Sequence, residues 1–264
     1  MCTASTATDS GTSATAFVPD VGKAGPAADP KLIEDLVFAN RILCLYGVVD
    51  AYGHVSARHD KRPDRFLLAR NMAPGSVTAA DIVTFDLDGN PVDAAGRSVY
   101  LERFIHAEMY RARPDVNAVV HSHSPGVIPF GIVQGVPLRP VWHVSGFIGE
   151  AAPVFEIRDV AGDASNLLIS DGRLGAALAR SIGDGCVVLM RGHGATVVGP
   201  NLPLAVFRAI YTEINARLQK EALGLGTVTY LTPGEARATA DMMAGNYGRA
   251  WDFWKKQVEA QVPR

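Results

Sequence analysis

Cysteine is scarce in this chain. Its three copies, Cys2, Cys44 and Cys186, are odd in number, far apart and without metal-ligand spacing, which excludes a disulfide framework or a thiolate metal site. Cys44 falls in a helical pattern and Cys186 opens an apolar strand, so both read as reduced core residues and a reducing cytoplasm is the simplest compartment. An excess of charge is missing too. Against 25 Lys and Arg stand 27 Asp and Glu, a formal net charge of -2, which gives no electrostatic reason for nucleic acid or an anionic membrane as partner. No apolar run approaches the length of a membrane span. Residues 1–28 carry few large apolar side chains and lack an apolar leader core and any Arg. They read as a disordered or loosely draped tail rather than a signal or transit peptide.

The chain as a whole has the composition of a soluble globular protein, with 48% hydrophobic and 20% charged residues, and its ordered part is expected over 29–264. Asp29-Pro30 opens a helix that Gly47 stops. Strands are expected over 52–58, 65–69 and 81–86, the last turning at Asp88-Gly89. Ser98 is the expected cap of a helix over 99–113, which puts Glu102 in the first turn and His106 one turn on. A strand over 117–123 follows, then a broken stretch to Pro140 and a strand or connector over 141–148. Asp171 caps a helix to Ile182, and strands are expected at 186–190 and 195–198. A long helix spans 203–223, and Thr232 to Glu235 is a capping box for a final helix. Strands and helices alternate without a clean βαβ series, which predicts one α/β domain with a mixed sheet.

Chemistry concentrates in three places. His121 and His123 are two apart on a strand, so both imidazoles face one point, the arrangement a divalent cation needs. Catalytic metal sites require a third ligand, and His193, between Gly192 and Gly194, is the candidate. Three imidazoles without thiolate or carboxylate describe an open catalytic site for one divalent ion, Mn(II) or Zn(II) foremost, with Fe(II) or Co(II) also compatible. Glu102, on the helix that leads into the histidine strand, is the acid/base candidate.

Taken together, these residues resemble the class II aldolase/adducin family over nearly all of 31–245. The match is carried by Gly53 to Arg58, by Glu102, His106 and Tyr110, by Arg113 to His123, by Arg191 to Gly194 and by Tyr211 to Gln219. The resemblance implies a three-layer α/β/α fold around a mixed, largely antiparallel sheet. It also implies a divalent metal on His121, His123 and His193, Glu102 as acid/base, and a homotetramer with active sites near subunit boundaries.

Departures from the family pattern bear on the substrate. Members that cleave sugar phosphates hold the phosphate with an Asn in a Gly-Asn-x-Ser strand, a Thr-Pro-Ser-Gly-like loop and a Ser-Ser pair before the glutamate. Here the Asn position is His54, the loop runs from Arg70 to Gly75, and the pair is Tyr100-Leu101. Small donors have given way to bulky groups, so a flat aromatic carboxylate suits the site better than a phosphorylated sugar. His54, Arg58 and Arg70 are candidates to hold it, although both arginines could equally be surface charges. His143 is expected to face the pocket and assist the proton transfer, on the premise that 141–148 is a strand. The pattern is similar to the branch that decarboxylates ortho-hydroxy aromatic acids such as 3,4-dihydroxyphthalate and 3-hydroxy-2-methylpyridine-4,5-dicarboxylate. In that chemistry a metal chelates a ring hydroxyl and the adjacent carboxylate, the carboxyl-bearing ring carbon is protonated, and carbon dioxide leaves an enolate. Three other readings stay open: retro-aldol cleavage of a non-phosphorylated hydroxy-keto acid, a non-haem iron oxygenase, and a non-catalytic adducin-like scaffold.

Overall fold

A computed structural model describes residues 25–261. The tail expected over 1–28 therefore lies outside the described residues for positions 1–24. Residues 25–28 drape over the first hairpin, where the Ala27 carbonyl accepts Lys61 Nζ at 2.6 Å.

The first helix, α1 (Pro30–Leu45), is capped by the Asp29 carboxylate on Lys31 N and has proline at its start, as its sequence predicts. β1 (His54–His59), β2 (Arg62–Ala69) and β3 (Ile82–Asp86) form an antiparallel meander. Next comes α2 (Arg103–Ala112), four residues shorter at its N-terminus than the sequence suggests. Ser98 does not cap it. The Ser98 carbonyl instead accepts from Asn71 N, tying that residue to the 70–75 loop, and Glu102 occupies the N-cap position outside the first turn.

β4 (Ala118–Ser122) and the short α3 (Ile128–Ile132) follow. Residues His143–Ile148 form a 3-10 helix, not a strand. Asn215 draws this segment inward, since its Oδ1 accepts from Val141 N and Ser145 Oγ. The chain continues through β5 (Val154–Phe155), α4 (Arg158–Ala161), α5 (Gly172–Ile182), β6 (Val187–Met190) and β7 (Gly194–Gly199). α6 (Leu202–Leu225) then leads to α7 (Pro233–Ala244) and α8 (Tyr247–Gln261). The single final helix expected from the sequence is broken at Gly245-Asn246, where Asn246 Nδ2 donates to the Met242 carbonyl.

The seven strands make one mixed sheet in the order β3-β2-β1-β4-β7-β6-β5, antiparallel except for the β5–β6 pair. Helices α2 and α5 pack together on one face, and α1, α6 and α8 on the other. β4, at the centre of the sheet, has every residue buried, which is why its sequence is a continuous apolar run rather than an alternation. α6 is buried on several sides, against the sheet and against α8, so its apolar residues form no single stripe. Cys44 and Cys186 are free thiols, and no described helix is long and apolar enough to cross a membrane.

Candidate active site and metal centre

The centre is built where β4 runs out beside the β6–β7 turn. His121 is the penultimate residue of β4 and is fully buried; His123 lies just past the strand end and is half-buried. His193 comes from the turn between β6 and β7, closed by His193 N donating to the Met190 carbonyl at 3.0 Å. Both flanking glycines are needed. Gly192 has a φ of +66°, and a Cβ on Gly194 would lie 1.9 Å from the Ser122 carbonyl oxygen. Only bare backbone lets β7 start that close to the His-Ser-His segment.

These three rings converge through their Nε2 atoms. His121 and His123 are 3.2 Å apart there, and His123 and His193 2.9 Å. Glu102 Oε2 lies 3.6 Å from His121 Nε2 and 3.5 Å from His193 Nε2, and the four donors fall within 4.8 Å of one another. Tetrahedral ligands about 2.1 Å from a cation stand about 3.4 Å apart, close to these separations. His193 Nδ1 is 2.9 Å from the Leu167 carbonyl, which can only accept, so the proton sits on Nδ1 and Nε2 offers a lone pair. Lone pairs aimed together in a buried place are the chemistry of a cation site, so the residues fit a divalent metal.

The same four groups set one another's electrostatics. Burial alone would raise the Glu102 carboxyl, but the His121 and His193 imidazoles beside it outweigh burial and hold it well below the carboxylate range. Burial, followed by the neighbouring His121 and His193 rings, pushes His123 down to about 4. His121 is lowered, chiefly by burial against the opposing pull of Glu102. For His193 burial is outweighed by Glu102, and its net shift is upward.

A segment that the sequence left unread orients the cluster from behind. Ile169 N donates to Glu102 Oε1 at 3.0 Å, while the Leu167 carbonyl holds His193. Leu167 has a φ of +66°, in the left-handed region that a leucine rarely adopts, a local cost of about 1–2 kcal/mol held at the site. Both contacts use backbone atoms, so no side-chain signal could have revealed them. On the opposite side the buried Glu213 of α6 accepts from Ser124 Oγ in a short hydrogen bond and from Gly126 N, pinning the turn that follows His123.

His54, on β1, is the direct cross-strand partner of His121 and is buried. Its ring lies 5.0 Å from that of His121 and 4.5 Å from that of Tyr100. The Tyr100 hydroxyl makes a short hydrogen bond to the Met72 carbonyl, so loop and aromatic wall are joined. His54 Nδ1 is 2.6 Å from His106 Nε2, a contact not anticipated from the sequence, although Glu102, His106 and Tyr110 recur every four residues.

The other candidates are placed differently. Arg58 donates to the carbonyls of Pro63, Tyr110, Arg113 and Val116 and lies 4.8 Å from the Tyr110 ring centroid. It clips β1 to the end of α2, so it is corrected from substrate ligand to structural residue. Arg70 Nε pairs with Asp81 Oδ1 at 2.7 Å and remains partly exposed, its charge acting on Tyr100. His143 is exposed on the 3-10 helix and lines a groove with Tyr46, Phe207, Tyr211 and Trp254, a groove to which the metal cluster contributes no residue. Its expected position at the pocket is corrected, because a 3-10 turn replaces the strand alternation on which that expectation rests.

Comparison with known proteins is consistent with this geometry. The chain is 38% identical over 257 residues to "Decarboxylase tropJ" of Talaromyces stipitatus, covering 89% of this chain and 96% of that protein. It is 31% identical over 244 residues to the 3,4-dihydroxyphthalate decarboxylase of Arthrobacter keyseri, covering 86% and 94%. The fold matches the aldolase II superfamily protein from Pseudomonas syringae with a TM-score of 0.72 at 23% identity, over 88% of this chain and 95% of that one. Residues 34–220 match the family model described as Class II Aldolase and Adducin N-terminal domain, and the chain belongs to that family.

Proposed function

We propose that this protein is a divalent-metal-dependent decarboxylase of an ortho-hydroxylated aromatic or pyridine dicarboxylate. The observation that carries the reading is the juxtaposition of the three-histidine and glutamate cluster with a wall of His54 and Tyr100 where a phosphate cradle would be needed. The names of the two relatives support the same class of reaction. His121, His123 and His193 would hold the ion, Mn(II) or Zn(II) foremost and Fe(II) or Co(II) also compatible with the donors. When bound it would act as a Lewis acid towards the ring hydroxyl oxygen and the adjacent carboxylate.

Glu102 moves the proton. Its carboxylate, ionised and shielded from bulk water, accepts the hydroxyl proton of the substrate and returns it to the ring carbon that bears the departing carboxylate. The electrons of the broken carbon–carbon bond then flow into the ring as carbon dioxide leaves, and the product keeps the negative charge on oxygen. Ile169 N fixes the other Glu102 oxygen, so one lone pair stays aimed at the site. His54 supplies a polar contact to the second carboxylate, and Tyr100 a flat face for the ring. Arg70 stands at the loop edge as a further anion partner. We also infer a homotetramer in a reducing cytoplasm, which light scattering and fractionation would test.

The deciding experiment is incubation of the metal-loaded protein with 3,4-dihydroxyphthalate and with 3-hydroxy-2-methylpyridine-4,5-dicarboxylate under anaerobic conditions. Release of carbon dioxide with one equivalent of the monocarboxylate is the expected result. Cleavage of L-fuculose 1-phosphate with neither acid consumed would overturn the proposal.

A further inference from the structure

Four polar side chains run from the edge of the metal cluster into the interior. His54 Nδ1 is 2.6 Å from His106 Nε2, His106 Nδ1 is 2.6 Å from Ser56 Oγ, and Ser56 Oγ is 2.7 Å from the Tyr110 hydroxyl. All four are buried. The chain exists because two periods coincide. His54 and Ser56 are two apart on β1 and so share a face, about 6.6 Å apart. His106 and Tyr110 are four apart on α2, about 6 Å along its axis. A helix laid along that strand face brings the pairs into register, with Glu102 one further step towards the metal cluster.

We propose that Tyr110, Ser56 and His106 are positioning residues that lock His54 in the tautomer with its proton on Nε2, so that it presents a neutral N–H donor to a carboxylate of the substrate. The direction of the chain follows from its inner end. Among the described residues the hydrogen-bond partner of the phenol oxygen is Ser56 Oγ, and the Arg58 guanidinium, which lies over the ring, can only donate. The phenol proton therefore has one acceptor within reach, Ser56 Oγ; reversing the chain would strand a buried O–H without a partner. Ser56, accepting there, donates to His106 Nδ1. His106 then carries its proton on Nε2 and donates to His54 Nδ1, which leaves the proton of His54 on Nε2. With Nδ1 committed, Nε2 is the nitrogen left for a ligand. As a donor it favours a carboxylate oxygen; with the opposite tautomer it would turn a lone pair towards that anion.

The role of His54 towards a carboxylate rests on the decarboxylase reading, but the tautomer does not, and the tests separate the two. In zinc-loaded protein with 15N-labelled histidine, above pH 7, His54 should show a protonated Nε2 and a bare Nδ1. A protonated Nδ1 would overturn the inference whatever the protein catalyses. Tyr110→Phe, which removes one buried hydroxyl, should turn the single His54 tautomer into a mixture and leave zinc content unchanged; a His54 spectrum identical to that of the unaltered protein would sink the proposal. In the activity assay His54→Gln keeps an N–H donor and should hold KM within about threefold, whereas His54→Ala should raise KM about tenfold or more with a smaller change in kcat. Equal losses in the two variants would remove the donor role. A protein with the expected tautomer that turns over neither acid would leave the lock in place and reject the substrate assignment instead.

Discussion

At the scale of single residues, the site separates groups that hold a cation from the one that moves a proton. The three Nε2 atoms point into a common space, and Glu102 reaches the same space from another helix with its second oxygen anchored on Ile169 N. Glu102→Gln keeps the shape and that anchor while removing the base. It is expected to retain bound metal and lower kcat by about 10²-fold or more, as read by metal analysis and turnover on the same preparation. His121→Ala should instead lose metal and activity together, because His121 is buried at the centre of the donor set. A fully active Glu102→Gln protein would mean that the proton travels elsewhere. Arg58 is the opposite case, a charge that looks available in sequence and is spent on four carbonyls in the fold. Since hydrogen bonds to charged groups contribute about 1.5–3 kcal/mol each at most, and several are lost together with some relaxation, Arg58→Ala should cost about 2–4 kcal/mol in a denaturant titration with KM unchanged. A large rise in KM without loss of stability would restore it to the substrate site.

At the scale of elements, the match between α2 and β1 sets a pH dependence as well as a tautomer. Burial is the main reason that His54 lies well below the usual histidine range and that His106 is pushed down to about 3. In the unfolded chain both protonate near about 6.5. Folded-state values below the unfolded ones mean that the stability held by these neutral rings is complete above about pH 6.5. It is lost as pH falls towards 3, by up to about 1.4 kcal/mol per pH unit for each ring. Thermal midpoints between pH 8 and pH 4 should therefore fall less steeply for His106→Gln than for the unaltered protein, and parallel curves would contradict this account. The elements themselves were largely legible in the sequence. Asp29, Asp171 and Thr232 cap the helices they announce, and the apolar run before His121 is the central strand. Two stretches were not. Residues 141–148 have the apolar content of a strand, yet Asn215, some seventy residues on, recruits their backbone into a 3-10 turn and carries His143 into a separate groove. Residues 165–169 act through a carbonyl and an N–H, so their side chains carry no trace of the role.

At the scale of the whole molecule, the metal cluster joins parts of the chain that are otherwise distant, which makes ion binding a stability term for the entire fold. His121 lies at the end of the central strand with His123 just beyond it, His193 lies in the hairpin at the same end of the sheet, and Glu102 starts the helix that covers it. In the unfolded chain His193 is far from His121 and His123, so an ion that needs all three imidazoles binds the folded state alone. At a free concentration of about 100 times Kd such a ligand adds about 2.7 kcal/mol, and for a domain of this size each kcal/mol moves Tm by roughly 2–4 °C. Protein stripped with a chelator should thus melt roughly 5–10 °C lower than the same protein resupplied with Mn(II) or Zn(II), measured by scanning calorimetry or circular dichroism. His121→Ala should melt at one temperature with or without the ion, since it lacks the central ligand. The comparison also separates a catalyst from a scaffold. A non-catalytic adducin-like protein has no use for the ligand set, and a midpoint indifferent to metal in the unaltered chain would count against the metal centre and with it the decarboxylase reading. A shift that appears in the unaltered chain and vanishes in His121→Ala would tie the effect to this cluster rather than to ions at the exposed carboxylates of the surface.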